Sequence, residues 1–238
     1  LNTWTSLKVV LLNILKHPLK ELGQKLLANP LKYKKYFRKT SLKQKGIGEH
    51  FLDEIASKKP KSFLEVGVFH GVTARNVCEL LHSIHGSDFK YVGLDLFGEN
   101  TENNNEFIPN TKFNNPLKKI YFEYILRKDP YSIEAVSDLL KKFEKNVHLI
   151  KGNSNQLLKK IDMSKIDFVF LDGGHAYETV KNDLEYSLPV INNDGTILCD
   201  DYNLSYAPGV QRAIDEFVII NNLKIEFLFN YRFARIER

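Results

Sequence analysis

The stretch "IDFVFLDGGHAYETVKNDLEYSLPVINNDGTILCDDY", Ile166 to Tyr202, decides the fold. An apolar run ends on Asp172, and a glycine turn leads into a helical stretch from Tyr177 to Leu188. A second apolar run, "GTILCDD", then ends on Asp200 and Asp201. Strand, helix and strand in this order imply parallel pairing through a right-handed crossover. Acids are poor strand residues and costly to bury unpaired. Three of them at the ends of two apolar runs therefore need a reason.

The same rhythm extends upstream. "KSFLEVGV", "KYVGLDLF" and "NVHLIKG" read as short buried strands, with helical stretches at Val72 to His85 and Ile133 to Lys145 between them. Downstream, the helix "GVQRAIDEFVIINN" leads to "KIEFLFN" and "RFARIER", two strands joined by a very short turn. The expected fold is α/β: a doubly wound, mostly parallel seven-stranded sheet closed at one edge by a C-terminal antiparallel hairpin.

The segment between Gly98 and Tyr131 breaks that rhythm. "GENTENNNEFIPNTKFNNP" holds seven Asn and little apolar periodicity. Because it follows the second strand, it would hang over the carboxyl ends of the strands. Residues 99–130 are therefore read as a substrate lid.

Charge divides the chain unevenly. Of 34 basic residues, eleven lie in residues 1–48 against the single acid Glu21, and the remainder is net acidic although the whole carries +5. Basicity confined to an extension argues against a nucleic-acid partner. In that extension Leu7, Val10, Leu11, Ile14 and Leu15 share a helical side, and Leu19, Leu22, Leu26 and Leu27 continue a stripe after Pro18. Residues 1–48 thus read as a basic amphipathic helical extension, with residues 49–238 as the main domain. Packing on its own domain or on a second subunit is the preferred role for the arm; peripheral contact with an anionic membrane is the other. Two cysteines, Cys78 and Cys199, sit in apolar stretches, and no apolar run approaches a membrane span. A reducing, cytoplasmic setting is expected, at the inner membrane face if the arm binds lipid.

Three turns face the expected ligand. In "FLEVGVFHGVTARNV", Gly67 permits a tight turn and Gly71 opens the following helix. Phe69 stands where a dinucleotide fingerprint has its middle glycine, which disfavours a pyrophosphate. Asp95, ending the next strand, can accept from both hydroxyls of a ribose. After the third strand, Asn153 and Ser154 suit an adenine edge. This order of motifs resembles the class I S-adenosylmethionine-dependent methyltransferases, a Rossmann-like fold, over roughly residues 60–238. The resemblance implies that Glu65 lies near the amino-acid end of the cofactor; the family often has Asp where Asn153 stands.

Parallel pairing brings the strand ends carrying Asp172, Asp200 and Asp201 together, about 5 Å apart. Adjacent residues of a strand point to opposite faces, so Asp200 and Asp201 can share a ligand only where the strand has already turned. Three carboxylates without a cation repel, and Mg²⁺ or another divalent cation resolves the conflict. His175 stands beside them as the base for an acceptor hydroxyl, with Asp172 counted at the junction of metal, cofactor and chemistry. The Asp-Gly-x-His and Asp-Asp-Tyr pattern is similar to the metal-dependent sugar O-methyltransferases of macrolide biosynthesis and their surface-glycan relatives. That resemblance implies metal ligation by Asp172, Asp200 and Asp201, with His175 as base. The implied acceptor is a sugar or glycosylated small molecule. A catechol or phenol methyltransferase with the same metal site is the alternative. A catalytically silent interaction module working through residues 1–48 is a third reading.

Overall fold

A computed structural model describes residues 31–98, 113–160 and 165–238. The leucine stripes before residue 31 and the Asn-rich half of the expected lid lie outside these residues.

Seven strands form one sheet: β1 (Ser62–Val66), β2 (Lys90–Asp95), β3 (Val147–Lys151), β4 (Ile166–Leu171), β5 (Ile191–Cys199), β6 (Lys224–Leu228) and β7 (Phe233–Glu237). Their spatial order is β3-β2-β1-β4-β5-β7-β6. The first five run parallel, and β7 inserts antiparallel between β5 and β6. The expected doubly wound sheet with its C-terminal hairpin is the observed fold.

Alternation along the strands builds a core on each face, as a sheet covered on both sides requires. Phe63, Phe168 and Phe170 feed one core, with Phe51 and Ile55 of helix α1 (Ile47–Lys58) and Val77 and Leu81 of α2 (Val72–His85). Leu64, Val169 and Leu171 feed the other, which the last two long helices cover. Register explains an aromatic ladder on the first face. Phe63 pairs with Tyr91 and with Phe168, and its ring stacks on them at 5.9 and 5.1 Å.

Between β2 and β3, residues expected as open loop are partly helical. Helix α3 (Pro116–Ile120) continues into a π-helical segment, Tyr121–Leu126. Its start follows ordinary capping: Asn115 Oδ1 accepts from the Leu117 and Lys118 N–H groups, and Pro116 occupies the first turn. Helix α4 (Ile133–Leu140) stops short of the expected Lys145 and tightens into a 3₁₀ turn, Lys141–Phe143. A short helix α5 (Ser154–Leu157) follows β3, and α6 (Tyr177–Val190) and α7 (Pro208–Asn221) complete the chain.

Residues 31–46 lie across the carboxyl ends of the strands. Tyr33, Lys34, Arg38, Thr40 and Leu42 are buried there. Tyr33 meets Thr73 at 2.8 Å, and the Asn76 amide exchanges hydrogen bonds with the Lys34 backbone. Among the described residues, no helix is long and apolar enough to cross a membrane.

Candidate active site

The sheet's switch point lies between β1 and β4, where strand order reverses and open α/β sheets bind ligands. Backbone hydrogen bonds carry the ladder one residue beyond each strand end. Gly67 N–H reaches the Leu94 carbonyl at 2.9 Å, Asp172 N–H the Val66 carbonyl at 2.8 Å, and Asp200 N–H the Leu171 carbonyl at 2.9 Å. The sequence-predicted residues are therefore lined up along adjoining strand ends.

On one side of the switch point sit the three acids. One carboxylate oxygen each from Asp172, Asp200 and Asp201 lies within 4.8 Å of the others. Asp201 adopts φ +62°, so the chain has left the strand and both consecutive acids turn to the same side. Asp200 and Asp201 are buried. The acids open onto a cavity also lined by Gly173, Gly174 and His175. His175 Nε2 lies 2.8 Å from Asp201 Oδ2, and its Nδ1 is buried. The histidine thus reaches an acceptor only through the nitrogen that also meets Asp201.

Arg232 is a site residue that the strand pattern of the sequence did not reveal. Its guanidinium bonds both oxygens of Asp200 at 2.5 and 2.8 Å and lies 2.7 Å from Asp201 Oδ1. The arginine stands in the tight turn before β7. Register places Ala234 beside Cys199, so that turn falls next to the Asp200–Asp201 corner. Recognising that β7 pairs with β5 would have found it. Burial works against the Arg232 charge, but Asp200 and then Asp201 outweigh it and hold the guanidinium protonated.

Three carboxylates against one guanidinium leave negative charge unbalanced. Burial, then Asp200 and Asp201, push the Asp172 carboxyl well above the usual range. Asp200 is raised by burial and then Asp201, with Arg232 opposing. Asp172 is the least served of the three, with Ser41 Oγ as its hydroxyl donor at 3.2 Å. Any proton the cluster retains belongs there. An all-oxygen donor set with two negative charges in excess fits a hard divalent cation.

Across the switch point lie the residues expected to hold a nucleoside cofactor. Glu65, next to last in β1, is fully buried; its Oε2 accepts from the Tyr91 hydroxyl at 2.5 Å, and among the described residues its Oε1 has no hydrogen-bond partner. Burial pushes the Glu65 carboxyl up to about 8. Gly67 has φ +97°, and a Cβ there would lie 2.0 Å from the Asp172 carbonyl oxygen. Gly71, at φ +72°, stands at the start of α2, the helix it was expected to open. A Cβ there would meet Val136 of α4 at 2.7 Å.

Asp95 is enclosed by its own loops. Its Oδ2 accepts from Phe69 N–H and its Oδ1 from Phe97 N–H, both at 2.8 Å, and the Tyr131 hydroxyl also bonds it. Asn153 caps α5 by accepting from Asn155 N–H at 3.0 Å, with Ser154 as the helix's first residue. Gly152 N–H reaches the Asp95 carbonyl at 2.9 Å, so these turns adjoin. Asp95, Asn153 and Ser154 thus line up beyond Glu65, on the opposite flank from the acids.

Residues 64–202 match a family model described as a methyltransferase domain. The chain belongs to that family. This methyltransferase is 30% identical over 105 residues to an uncharacterized protein of Acanthamoeba polyphaga mimivirus, a match covering 38% of the chain and 46% of that protein. The chain therefore spans about half the length of this curated relative. Among solved structures, the O-methyltransferase NovP superposes with TM-score 0.61 at 18% identity, covering 81% of each chain. CalS11, a TDP-rhamnose 3'-O-methyltransferase of calicheamicin biosynthesis, gives 0.55 at 15% identity over 82% of this chain and 81% of that one. A Podospora anserina methyltransferase bound to S-adenosylhomocysteine gives 0.52 at 18% identity over 79% and 76%. The shared architecture is the Rossmann-like class I methyltransferase fold.

Proposed function

We propose that this methyltransferase transfers the methyl group of S-adenosylmethionine to a hydroxyl of a sugar or glycosylated small molecule, assisted by Mg²⁺. One observation carries the reading: three carboxylates and a histidine converge at the switch point beside the glycine turn. The O-methyltransferases NovP and CalS11, the second acting on a TDP-sugar, support the choice of acceptor.

Bound S-adenosylmethionine supplies an electrophilic sulfonium methyl. Glu65 Oε1, without a hydrogen-bond partner among the described residues, suits the cofactor ammonium; at Gly67 the lack of a Cβ lets the Asp172 carbonyl pack against the glycine turn, which holds that turn beside the acids. Asp95 suits the ribose, provided the Tyr131 hydroxyl gives way, with Asn153 and Ser154 beside it for the base. A divalent cation held by Asp172, Asp200 and Asp201 supplies Lewis acidity toward the acceptor hydroxyl. Arg232 fixes the Asp200 and Asp201 carboxylates while cancelling one of their charges. His175 is the base for the hydroxyl proton, and to act as one its Nε2 must exchange Asp201 Oδ2, to which it donates, for the acceptor hydroxyl. The chain's main contribution is positioning, as an in-line displacement demands.

Calorimetry with S-adenosylmethionine, with and without Mg²⁺, tests the scheme. Absence of cofactor binding removes it entirely, whereas turnover indifferent to metal chelation removes the cation alone. An acceptor panel separates sugars from catechols: methylation of catechols with none of sugars reverses the substrate assignment.

A further inference from the structure

The helix between β2 and β3 turns its apolar side outward. Leu117, Ile120, Tyr121, Tyr124 and Ile125 recur at the spacing of one helical face across α3 and its π-helical continuation. All five are exposed, from 37% at Tyr121 to 70% at Tyr124, and Phe122 is the buried residue of the segment. Phe37 extends the patch: it is exposed, and its ring meets Tyr121 edge-on at 5.7 Å. A surface helix ordinarily buries such a stripe, and a contiguous exposed one marks a docking face.

Cations border this stripe. Residues 31–46 hold seven Lys or Arg and no acid, and residues 116–128 hold four against Glu123. The two segments adjoin: Lys118 Nζ donates to the Arg38 carbonyl at 3.3 Å and lies 5.0 Å from the centroid of the Phe37 ring. Burial, then Lys43 and Lys35, lower the Lys118 pKa, as cations gathered on one side require. Lys34 and Lys128 are paired with Glu79 and Asp138. Lys32, Lys35, Lys43, Lys45, Lys119 and Arg127 are exposed, and no ion pair joins them to an acid among the described residues.

Each feature alone fits several partners, but together they fit one. A free anion or a nucleic acid would take up the cations and leave the apolar stripe in water. A second copy of the chain would cover the stripe but bring two basic faces together. An anionic bilayer accepts both, with apolar side chains at the acyl boundary, cations at the headgroups and tyrosines at the interface between them.

We propose that α3, its π-helical continuation and residues 31–46 form a docking face for an anionic lipid surface. Leu117, Tyr124 and Ile125 enter the interface, and Lys35, Lys43 and Lys119 lie among the headgroups. The face borders the acidic centre, because Ser41 of the same segment bonds Asp172 at 3.2 Å. Docking is independent of the reaction that the centre performs.

Cosedimentation of the full chain with vesicles tests this. The protein should bind phosphatidylglycerol vesicles, with little binding to phosphatidylcholine, and salt should weaken the binding. Leu117→Gln, Tyr124→Gln and Ile125→Gln together should weaken it by about tenfold or more with the melting temperature unchanged, since all three side chains are exposed. Lys35→Gln, Lys43→Gln and Lys119→Gln together should also weaken it by about tenfold or more, each cation at the headgroups being worth about fivefold. Trp4 is the single tryptophan of the chain, so Trp4→Phe combined with Tyr124→Trp places one reporter on the stripe. Its emission should shift to the blue on phosphatidylglycerol vesicles. No binding to those vesicles, or no blue shift, overturns the proposal. Full binding by the apolar triple variant, together with loss on removing residues 1–30, moves the contact to that segment and overturns it too. A dimer in solution that the same variant dissociates, without vesicle binding, assigns the stripe to a second copy and does the same.

Discussion

Glu65 shows how one buried side chain couples cofactor binding to protons. Its carboxyl is raised to about 8 by burial, so near pH 7 it is mostly protonated before ligand arrives. An ammonium arriving at Oε1 favours the carboxylate, so cofactor binding near pH 7 should release close to one proton. Calorimetry in buffers of differing ionisation enthalpy measures this; heats independent of buffer would remove the ammonium from Glu65. Glu65→Gln should abolish the release and weaken affinity on the order of tenfold or more. Arg232 makes a second residue-scale prediction. Arg232→Met leaves buried carboxylates without their cation and should cost about 3–5 kcal/mol. Chemical denaturation in EDTA reads this loss, and an unchanged midpoint would mean that the ion pairs seen here carry no net stability. Both residues show where sequence reading falls short. Glu65 stood out by motif position, but Arg232 is remote from the Asp-Asp pair in sequence.

At the scale of elements, the ladder of Tyr91, Phe63 and Phe168 ties β2, β1 and β4 together beneath the switch point. Phe63→Ala removes the middle ring from a fully buried position and should destabilise the fold by about 3–5 kcal/mol. Phe63→Leu should cost clearly less, because it keeps most of the volume. Equal losses would show that ring stacking, and not filled space, carries the contribution. The strands were legible from their apolar runs, and the start of α3 at Asn115-Pro116 carried an ordinary capping signal. Asn-rich surroundings masked that signal, since the helix leaves Leu117, Ile120, Tyr124 and Ile125 exposed and so shows no buried stripe. Helix α4 ended early for a related reason: periodicity marks a face well and a terminus poorly.

Over the whole molecule, burial of acids sets the dependence of stability on pH. Glu65, Asp172 and Asp200 all have folded-state values raised above those of the unfolded chain. Between the ordinary carboxylate range and the raised values, the unfolded state holds fewer protons than the native state, so stability falls as pH rises. In EDTA the melting temperature should decrease from about pH 6.5 toward pH 8; below that, the buried His70, whose value is pushed down to about 3 by burial, acts in the opposite direction. Magnesium should flatten that decline by binding the ionised acids of the native state. A melting temperature that rises over this range would mean the acids are already compensated in the native protein.

By itself the sequence determined the order of strands and helices, and with it the parallel sheet. It also placed acids at the ends of β2, β4 and β5 around a glycine turn. Those features are local: apolar periodicity, turn chemistry and a right-handed crossover act over neighbouring residues. Only the tertiary structure decided what each acid meets. It set Arg232 against Asp200 through the β5–β7 pairing and turned Asp201 out of the strand. It buried Glu65 against Tyr91 and laid residues 31–46, with their lysines and Ser41, over the strand ends. Charge compensation is a matter of distance in space, and the partners here lie from 26 to 131 positions apart in the chain.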